Sequence, residues 1–392
     1  MNNIRTVVDW LTDGARSGSL SEDVLAELCQ RMVGCGLPLW RVAVFVTTLH
    51  PDVMGRRFIW QSEAGVSTSE ASFDLLENDD FQNNPIAAIY ASREPIRRHL
   101  SDGDCPDDFP FLRDLRAEGA TDYVAFPLPF TDGTIHVATW TTRQPGGFTP
   151  RQFADLESII KPLTRVTEIR ALRRTATNLL NTYVGRQAGE RILAGKIRRG
   201  YVEEIRAAIW LSDMRGFTVI AEQLPPQDLV DLLNRYFDCQ VPAILEHGGE
   251  VLKFIGDGLL AIFPLFADGD DASDVCRRAL ACARKARTLV DALDAPGRVA
   301  NKDAVRFGLA LHVGQVMYGN IGGGNRLDFT CIGPAVNLAA RLEKVAAELG
   351  KTIVASAEFA GHFPREFIPL GEFAVAGFAA PQLVFGLTEQ ID

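Results

Sequence analysis

The chain has 392 residues, enough for two domains and a connector. With 47% hydrophobic and 23% charged residues it sits among ordinary globular proteins, and a formal charge of −10 with a pI near 5.2 argues against a nucleic-acid partner, which needs a basic face. No apolar run approaches the ~18 residues of a membrane span, the first residues lack the apolar core of a signal peptide, and seven cysteines without a CxxC pair make no disulfide framework. The expectation is a reduced, cytoplasmic protein with no membrane span.

In chain order, residues 1–148 mix helical and strand patterns. Positions 4–11 and 24–32 read as helices, 41–49 and 57–61 as strands with a turn over 51–55, and the Pro/Asp-rich stretch 101–108 as a loop. Two further strands, 123–128 and 134–141, join through Thr131-Asp132-Gly133 as a hairpin. Residues 149–202 are mostly helical. Phe153, Leu156, Ile160, Leu163, Val166, Ile169, Leu172, Ala176 and Leu179 recur at helical spacing, a stripe that must be covered by its own domain or by a second chain. Pro162 is expected to kink or interrupt this helix.

Residues 203–392 alternate strand and helix patterns: strand 207–211, helix 226–246, hairpin 250–263, helix 274–293, strands 305–317 and 327–332, helix 335–349, then short strands. This predicts a mixed sheet flanked by helices, an α+β arrangement. The first strand runs into Trp210-Leu211-Ser212-Asp213-Met214-Arg215-Gly216-Phe217-Thr218. A strand that stops at a carboxylate, followed by a glycine and a hydroxyl residue fit to cap a helix, is the build of a phosphate and metal site. A second carboxylate follows in Lys253-Phe254-Ile255-Gly256-Asp257-Gly258, whose glycines suit a hairpin tip. Asp213 and Asp257 on such turns can hold two divalent cations, Mg²⁺ or Mn²⁺, and a triphosphate.

Those two blocks are followed, in order, by His312-Val313-Gly314, Tyr318-Gly319-Asn320-Ile321-Gly322 and Arg326-Leu327-Asp328-Phe329-Thr330-Cys331-Ile332-Gly333-Pro334-Ala335-Val336-Asn337-Leu338-Ala339-Ala340-Arg341-Leu342-Glu343. The set resembles the catalytic domain of class III nucleotidyl cyclases over roughly 180 residues, in family order and spacing. The resemblance implies a ferredoxin-like domain over 203–392 in which Asp213 and Asp257 bind the metals and Gly216, Phe217 and Thr218 meet the substrate. It further implies that Asn337 orients the ribose and that Arg341 stabilises charge on the transferring phosphate, a task suited to an always-charged bidentate donor. Lys253 and Thr330 fall where this family reads the purine. Lysine can donate to adenine N1 and threonine can accept from the 6-amino group, a pairing that resembles the bacterial Lys/Thr subclass. Because a hydroxyl can also donate, rejection of GTP is less strict than with a carboxylate. One departure stands out: related bacterial cyclases carry a Leu-Lys-Gly segment whose lysine reaches the triphosphate, and here the segment is Val375-Ala376-Gly377. Arg215 is one candidate to replace that charge.

The expectation is an adenylate cyclase that converts ATP to 3′,5′-cyclic AMP and pyrophosphate as a homodimer. The alternatives are a guanylate or dual-specificity cyclase, or a degenerate cyclase fold acting as a nucleotide-binding or dimerisation module. Residues 1–148 faintly resemble a GAF-like α/β sensor domain, implying an unidentified small-molecule or protein signal relayed through the helical linker 149–202. That is an analogy of fold alone.

Overall fold

The computed structural model describes residues 3–18, 20–51, 53–265, 271–293, 305–324 and 326–388. Asp52, in the turn expected over 51–55, and the last four residues of the chain lie outside the described residues. The chain divides into two units, Met1–Leu179 and Leu180–Asp392.

The N-terminal unit opens with α1 (Ile4–Thr12) and α2 (Ser21–Gly34), then β1 (Arg41–Thr47), β2 (Gly55–Gln61) and β3 (Gly65–Ala71). A 3₁₀ turn (Phe73–Glu77) leads to α3 (Asp79–Gln82), α4 (Pro85–Ser92), β4 (Ile96–Arg98), α5 (Pro110–Ala117), β5 (Asp122–Pro129) and β6 (Ile135–Thr142). The strands form one antiparallel sheet in the order β3-β2-β1-β6-β5-β4. The period of two along β1 sets the layers. Val42 and Val44 face a core with Leu28 and Met32 of α2 and Leu156 and Ile159 of the following helix, α6 (Pro150–Val184). Phe45 turns to the other face, where Tyr123, Ala125 and Val137 lie under Ile86 and Ile89 of α4 and Leu112 and Leu115 of α5. The entry to α6 is pinned by Asp122, fully buried, which accepts from Arg97 Nη2 at 2.7 Å and from the Phe148 amide at 2.9 Å.

α6 runs unbroken through Pro162, so the interruption expected there does not occur. A proline costs the helix one amide donor and a clash with the preceding turn. Here the turns on both sides are held by burial of Leu156, Ile159, Leu163 and Val166. The apolar stripe divides. It is covered by its own unit as far as Val166, whereas Ile169 and Leu172 are 63% and 60% exposed.

The C-terminal unit contains α7 (Arg186–Leu193), β7 (Val202–Met214), α8 (Phe217–Gln223), α9 (Pro226–Asp238), α10 (Val241–Glu246), β8 (Glu250–Ile255), β9 (Gly258–Leu265) and α11 (Ala272–Asp291). It continues with β10 (Phe307–Gly323), β11 (Arg326–Ile332), α12 (Pro334–Glu348), β12 (Ile353–Ser356), α13 (Ala357–Ala360), β13 (Phe367–Phe373) and β14 (Gln382–Leu387). The sheet order is β13-β14-β12-β10-β7-β9-β8, with β11 paired to β10. The β10–β12 pair is parallel and the others antiparallel, which is the mixed α+β sheet expected. Alternation along β7 again decides the layers. Ala208 and Trp210 pack with Ile244 of α10 and Ala279 and Ala283 of α11, while Ala207 and Ile209 pack with Ala188 of α7 and Ala335 and Ala339 of α12.

Two sequence expectations change here. The helix expected over 226–246 is two helices, because Pro242 at the start of α10 has no amide to continue the α9 ladder. The strand expected over 207–211 extends from Val202 to Met214, since both edges of β7 are paired, with β9 and with β10.

Candidate active site

The longer β7 places Asp213 inside the strand rather than on the turn after it, opposite Gly308 of β10. Asp257 occupies the β8–β9 hairpin tip, where Ile255 pairs with Gly258 and Gly256 adopts φ +63°, a conformation that favours glycine. The tip folds back onto β7: the Met214 amide donates to Asp257 Oδ2 at 3.2 Å. Asp213 lies against the same tip, its Oδ1 3.3 Å from where a Cβ on Gly258 would stand. Partial burial, the bond to Asp257 and the negative charges of Asp257 and Glu343 together hold the Asp213 carboxyl well above the usual carboxylate range, with Arg215 opposing them.

Two carboxylates pressed together on rigid backbone are a poor arrangement for a bare protein and a good one for a divalent cation. Mg²⁺ commonly takes one or two carboxylates and completes its shell with water and phosphate oxygens. Among the described residues no group of three or more His, Cys, Asp or Glu is placed to ligate a metal.

Gly216 ends the turn at φ +74° and precedes α8, whose first residues are Phe217 and Thr218. The helix cap has no side-chain hydrogen bond, so the expected capping by Thr218 is not seen; Thr218 lies within the helix, past the position where a hydroxyl caps. Phe217 packs on the core beneath while Gly216 and Thr218 are exposed. Arg215 turns inward. Its Nη1 donates to Glu343 Oε1 of α12 at 2.6 Å, and the guanidinium fills the space beside Gly308, where a Cβ would stand 1.6 Å from Nη2. This engagement makes Arg215 a poor substitute for the triphosphate lysine that position 376 lacks. Ala376 itself is exposed on the turn between β13 and β14. Neither Glu343 nor Gly308 stood out in the sequence, because a helix glutamate and a strand glycine are commonplace.

Lys253 of β8 reaches β11, where its Nζ lies 3.4 Å from Asp328 Oδ2. Thr330 is two residues along the same strand and therefore on the same face. It is only 4% exposed, and its Oγ1 has no hydrogen-bond partner. A buried hydroxyl without a partner costs free energy until something supplies one. Asp328 was missed as a partner of Lys253; its i, i+2 relation to Thr330 was the available signal.

Asn337 and Arg341 lie on one face of α12. Counting about 100° per residue, they sit roughly 120–160° around the helix from Glu343, which faces Arg215. Among the described residues neither side chain makes a hydrogen bond or ion pair, and Asn337 is exposed. The structure thus assembles two separate groups, Asp213 with Asp257 and Lys253 with Asp328 and Thr330. It does not bring Asn337 and Arg341 to the aspartates of the same chain.

Residues 202–377 match the adenylate and guanylate cyclase catalytic domain. The chain is 29% identical over 183 residues to adenylate cyclase 1 of Rhizobium meliloti (strain 1021), covering 46% of this chain and 27% of that protein. It is 33% identical over 162 residues to the adenylate cyclase of Anabaena cylindrica, covering 40% and 31% respectively. The crystal structure of the adenylyl cyclase CyaB from P. aeruginosa aligns with a TM-score of 0.43 at 29% identity, over 47% of this chain and 95% of that one. The chain therefore spans about a third or less of the length of these two curated relatives.

Proposed function

We propose, from the match of residues 202–377 to the adenylate and guanylate cyclase catalytic domain, that the chain converts ATP to 3′,5′-cyclic AMP and pyrophosphate. The observation that carries this reading is the folding of the Asp257 hairpin tip onto the end of β7 that bears Asp213, with the Met214 amide donating to Asp257 Oδ2 and Asp213 Oδ1 lying beside Gly258. In the reaction the ribose 3′-oxygen forms a bond to the α-phosphorus, the bond to the β-phosphate oxygen breaks, and pyrophosphate leaves. Two bound divalent cations, Mg²⁺ or Mn²⁺, would lower the pKa of the 3′-hydroxyl and neutralise the triphosphate. Asp213 and Asp257 would hold them. Asn337 fixes the ribose so that its 3′-oxygen lies in line with the departing pyrophosphate, and Arg341 offers two donors to the charge that builds on the α-phosphate.

Lys253 and the unpartnered Thr330 hydroxyl read adenine, with lysine donating to N1 and threonine accepting from the 6-amino group. A hydroxyl can reverse its role, which supports a lesser activity on GTP as the second reading. The placement of Asn337 and Arg341 away from Glu343 supports a homodimer whose sites each draw the aspartates from one chain and the Asn/Arg pair from the other. Exposed Phe254, Ile255 and Ile332 on the β8–β9 tip and β11, and the uncovered Ile169 and Leu172 of α6, offer apolar surface for that pairing. The region 1–148 serves as a sensor and 149–202 as its linker. No helix among the described residues is long and apolar enough to cross a membrane.

The test is product analysis of the purified chain with ATP and with GTP, each with Mg²⁺ and with Mn²⁺. Cyclic AMP as the main product is expected. Mainly cyclic GMP would overturn the reading of Lys253 and Thr330, and no cyclic nucleotide under any condition would favour a degenerate domain.

A further inference from the structure

The second face of the N-terminal sheet is only partly filled by the core under α4 and α5. A cavity of about 510 Å³ lies against it, within the usual range for small-molecule sites. The strand positions that line it carry Arg41 and Phe45 from β1, Arg57 from β2, Tyr123 from β5 and Thr139 from β6, with Phe81, Tyr90 and Phe111 on the helical side. Two features there are costly for the protein alone. The Tyr123 side chain is 0% exposed, and its hydroxyl has only the neighbouring Thr139 side chain to turn to, without a hydrogen bond of good geometry. The Arg41 guanidinium is largely taken out of water and rests over the Phe111 ring at 5.4 Å, without an ion-pair partner among the described residues. Burial holds its pKa below the ordinary arginine value, and Arg57 adds repulsion. Arg56, by contrast, is already matched by Glu70.

A half-buried cation without an ion pair and a phenol with only Thr139 beside it, on the same lining as four aromatic rings, define a complementary molecule. It has one negative charge for Arg41, an acceptor oxygen for Tyr123 and a flat ring to lie among Phe45, Phe81, Tyr90 and Phe111. A nucleotide triphosphate would bring several negative charges into a cavity that Glu70 and Asp74 also line. We propose that this cavity is a binding site for a small aromatic carboxylate, held by Arg41 and the Tyr123 hydroxyl. The site lies wholly within the N-terminal unit and does not depend on the cyclase reading.

The test uses the full chain and matched pairs of acids and amides: benzoate and benzamide, 4-hydroxybenzoate and its amide, nicotinate and nicotinamide, indole-3-acetate and its amide, titrated by calorimetry and ligand-observed NMR. At least one acid should bind once per chain with Kd below about 1 mM, and its amide should bind at least ~tenfold more weakly. Arg41→Met should weaken that acid by about tenfold or more, with Arg41→Lys losing less. Tyr123→Phe gives a readout that a packing role would not. Removing an unsatisfied buried hydroxyl should leave the free protein as stable or more stable, yet weaken the acid about fivefold. The proposal is overturned if no acid binds, if acids and amides bind alike, or if binding survives both Arg41→Met and Tyr123→Phe in folded protein.

Discussion

The Arg215 guanidinium donates to Glu343 at 2.6 Å and occupies the volume that any side chain at position 308 would need. The pair ties the turn after β7 to α12, so the strand end bearing Asp213 and the helix bearing Asn337 and Arg341 are set by one ion pair. Gly308→Ala should expel the guanidinium, cost the C-terminal unit about 1–3 kcal/mol and lower turnover. In the Gly308→Ala, Arg215→Ala double variant the stability losses should be clearly less than additive. Additive losses by denaturant titration would show that the two residues are not coupled.

Asp213→Asn and Asp257→Asn each replace one carboxyl group of the pair proposed to hold the metals. Each should lower turnover by several kcal/mol of activation free energy, on the order of a thousandfold, with the far-UV circular dichroism unchanged. Because the two carboxyl groups repel, either variant should also be no less thermally stable than the parent without metal. Near-parental cyclic nucleotide production by either would rule out the two-carboxylate site.

Lys253→Ala should cost about 1–3 kcal/mol in kcat/KM for ATP and much less for GTP, narrowing the preference between them. Asp328→Asn should narrow it less, since Asp328 only steadies the lysine at 3.4 Å. A larger effect at Asp328 than at Lys253 would mean that the carboxylate, not the lysine, touches the base.

His136 on β6 is buried and its Nδ1 accepts from the Thr47 amide at 3.1 Å, so the ring is neutral in the fold. Burial lowers its pKa from 6.5 to about 4. The unfolded chain takes up the proton first as pH falls, so stability held above pH 6.5 is lost as pH drops toward 4. Between pH 7 and pH 5 the N-terminal unit should lose about 2 kcal/mol through this one residue. Unfolding followed by tryptophan fluorescence reports mainly this unit, which holds Trp10, Trp40, Trp60 and Trp140 while the other unit has only Trp210. His136→Gln should flatten the pH dependence, and an unchanged slope in that variant would assign it elsewhere.

The fold of the C-terminal unit was largely legible from sequence because its signals are local. Asp213 lies at the end of an apolar strand, Gly256 and Asp257 make a hairpin tip, and Asn337 and Arg341 share a helix face. What was not legible depends on contacts made at a distance. The Arg215–Glu343 pair joins residues 128 apart in sequence and the Lys253–Asp328 pair residues 75 apart. Strand pairing on both sides carried β7 past the expected boundary, and packing carried α6 through Pro162. In the N-terminal unit, Arg41 and Tyr123 each look like ordinary strand residues. Only the register of β1 with β6, and of β6 with β5, brings them to one face.

A shared active site, with the aspartates from one chain and the Asn/Arg pair from the other, is tested by subunit mixing. Asp213→Asn and Arg341→Ala homodimers should each be inactive. In a mixed dimer both lesions fall in one composite site and the other site contains neither. Mixing should therefore restore up to about half of the parental activity per heterodimer, in proportion to the heterodimer fraction measured by native mass spectrometry. A mixture that stays inactive while heterodimers are seen to form would contradict the shared site and the cyclase mechanism built on it.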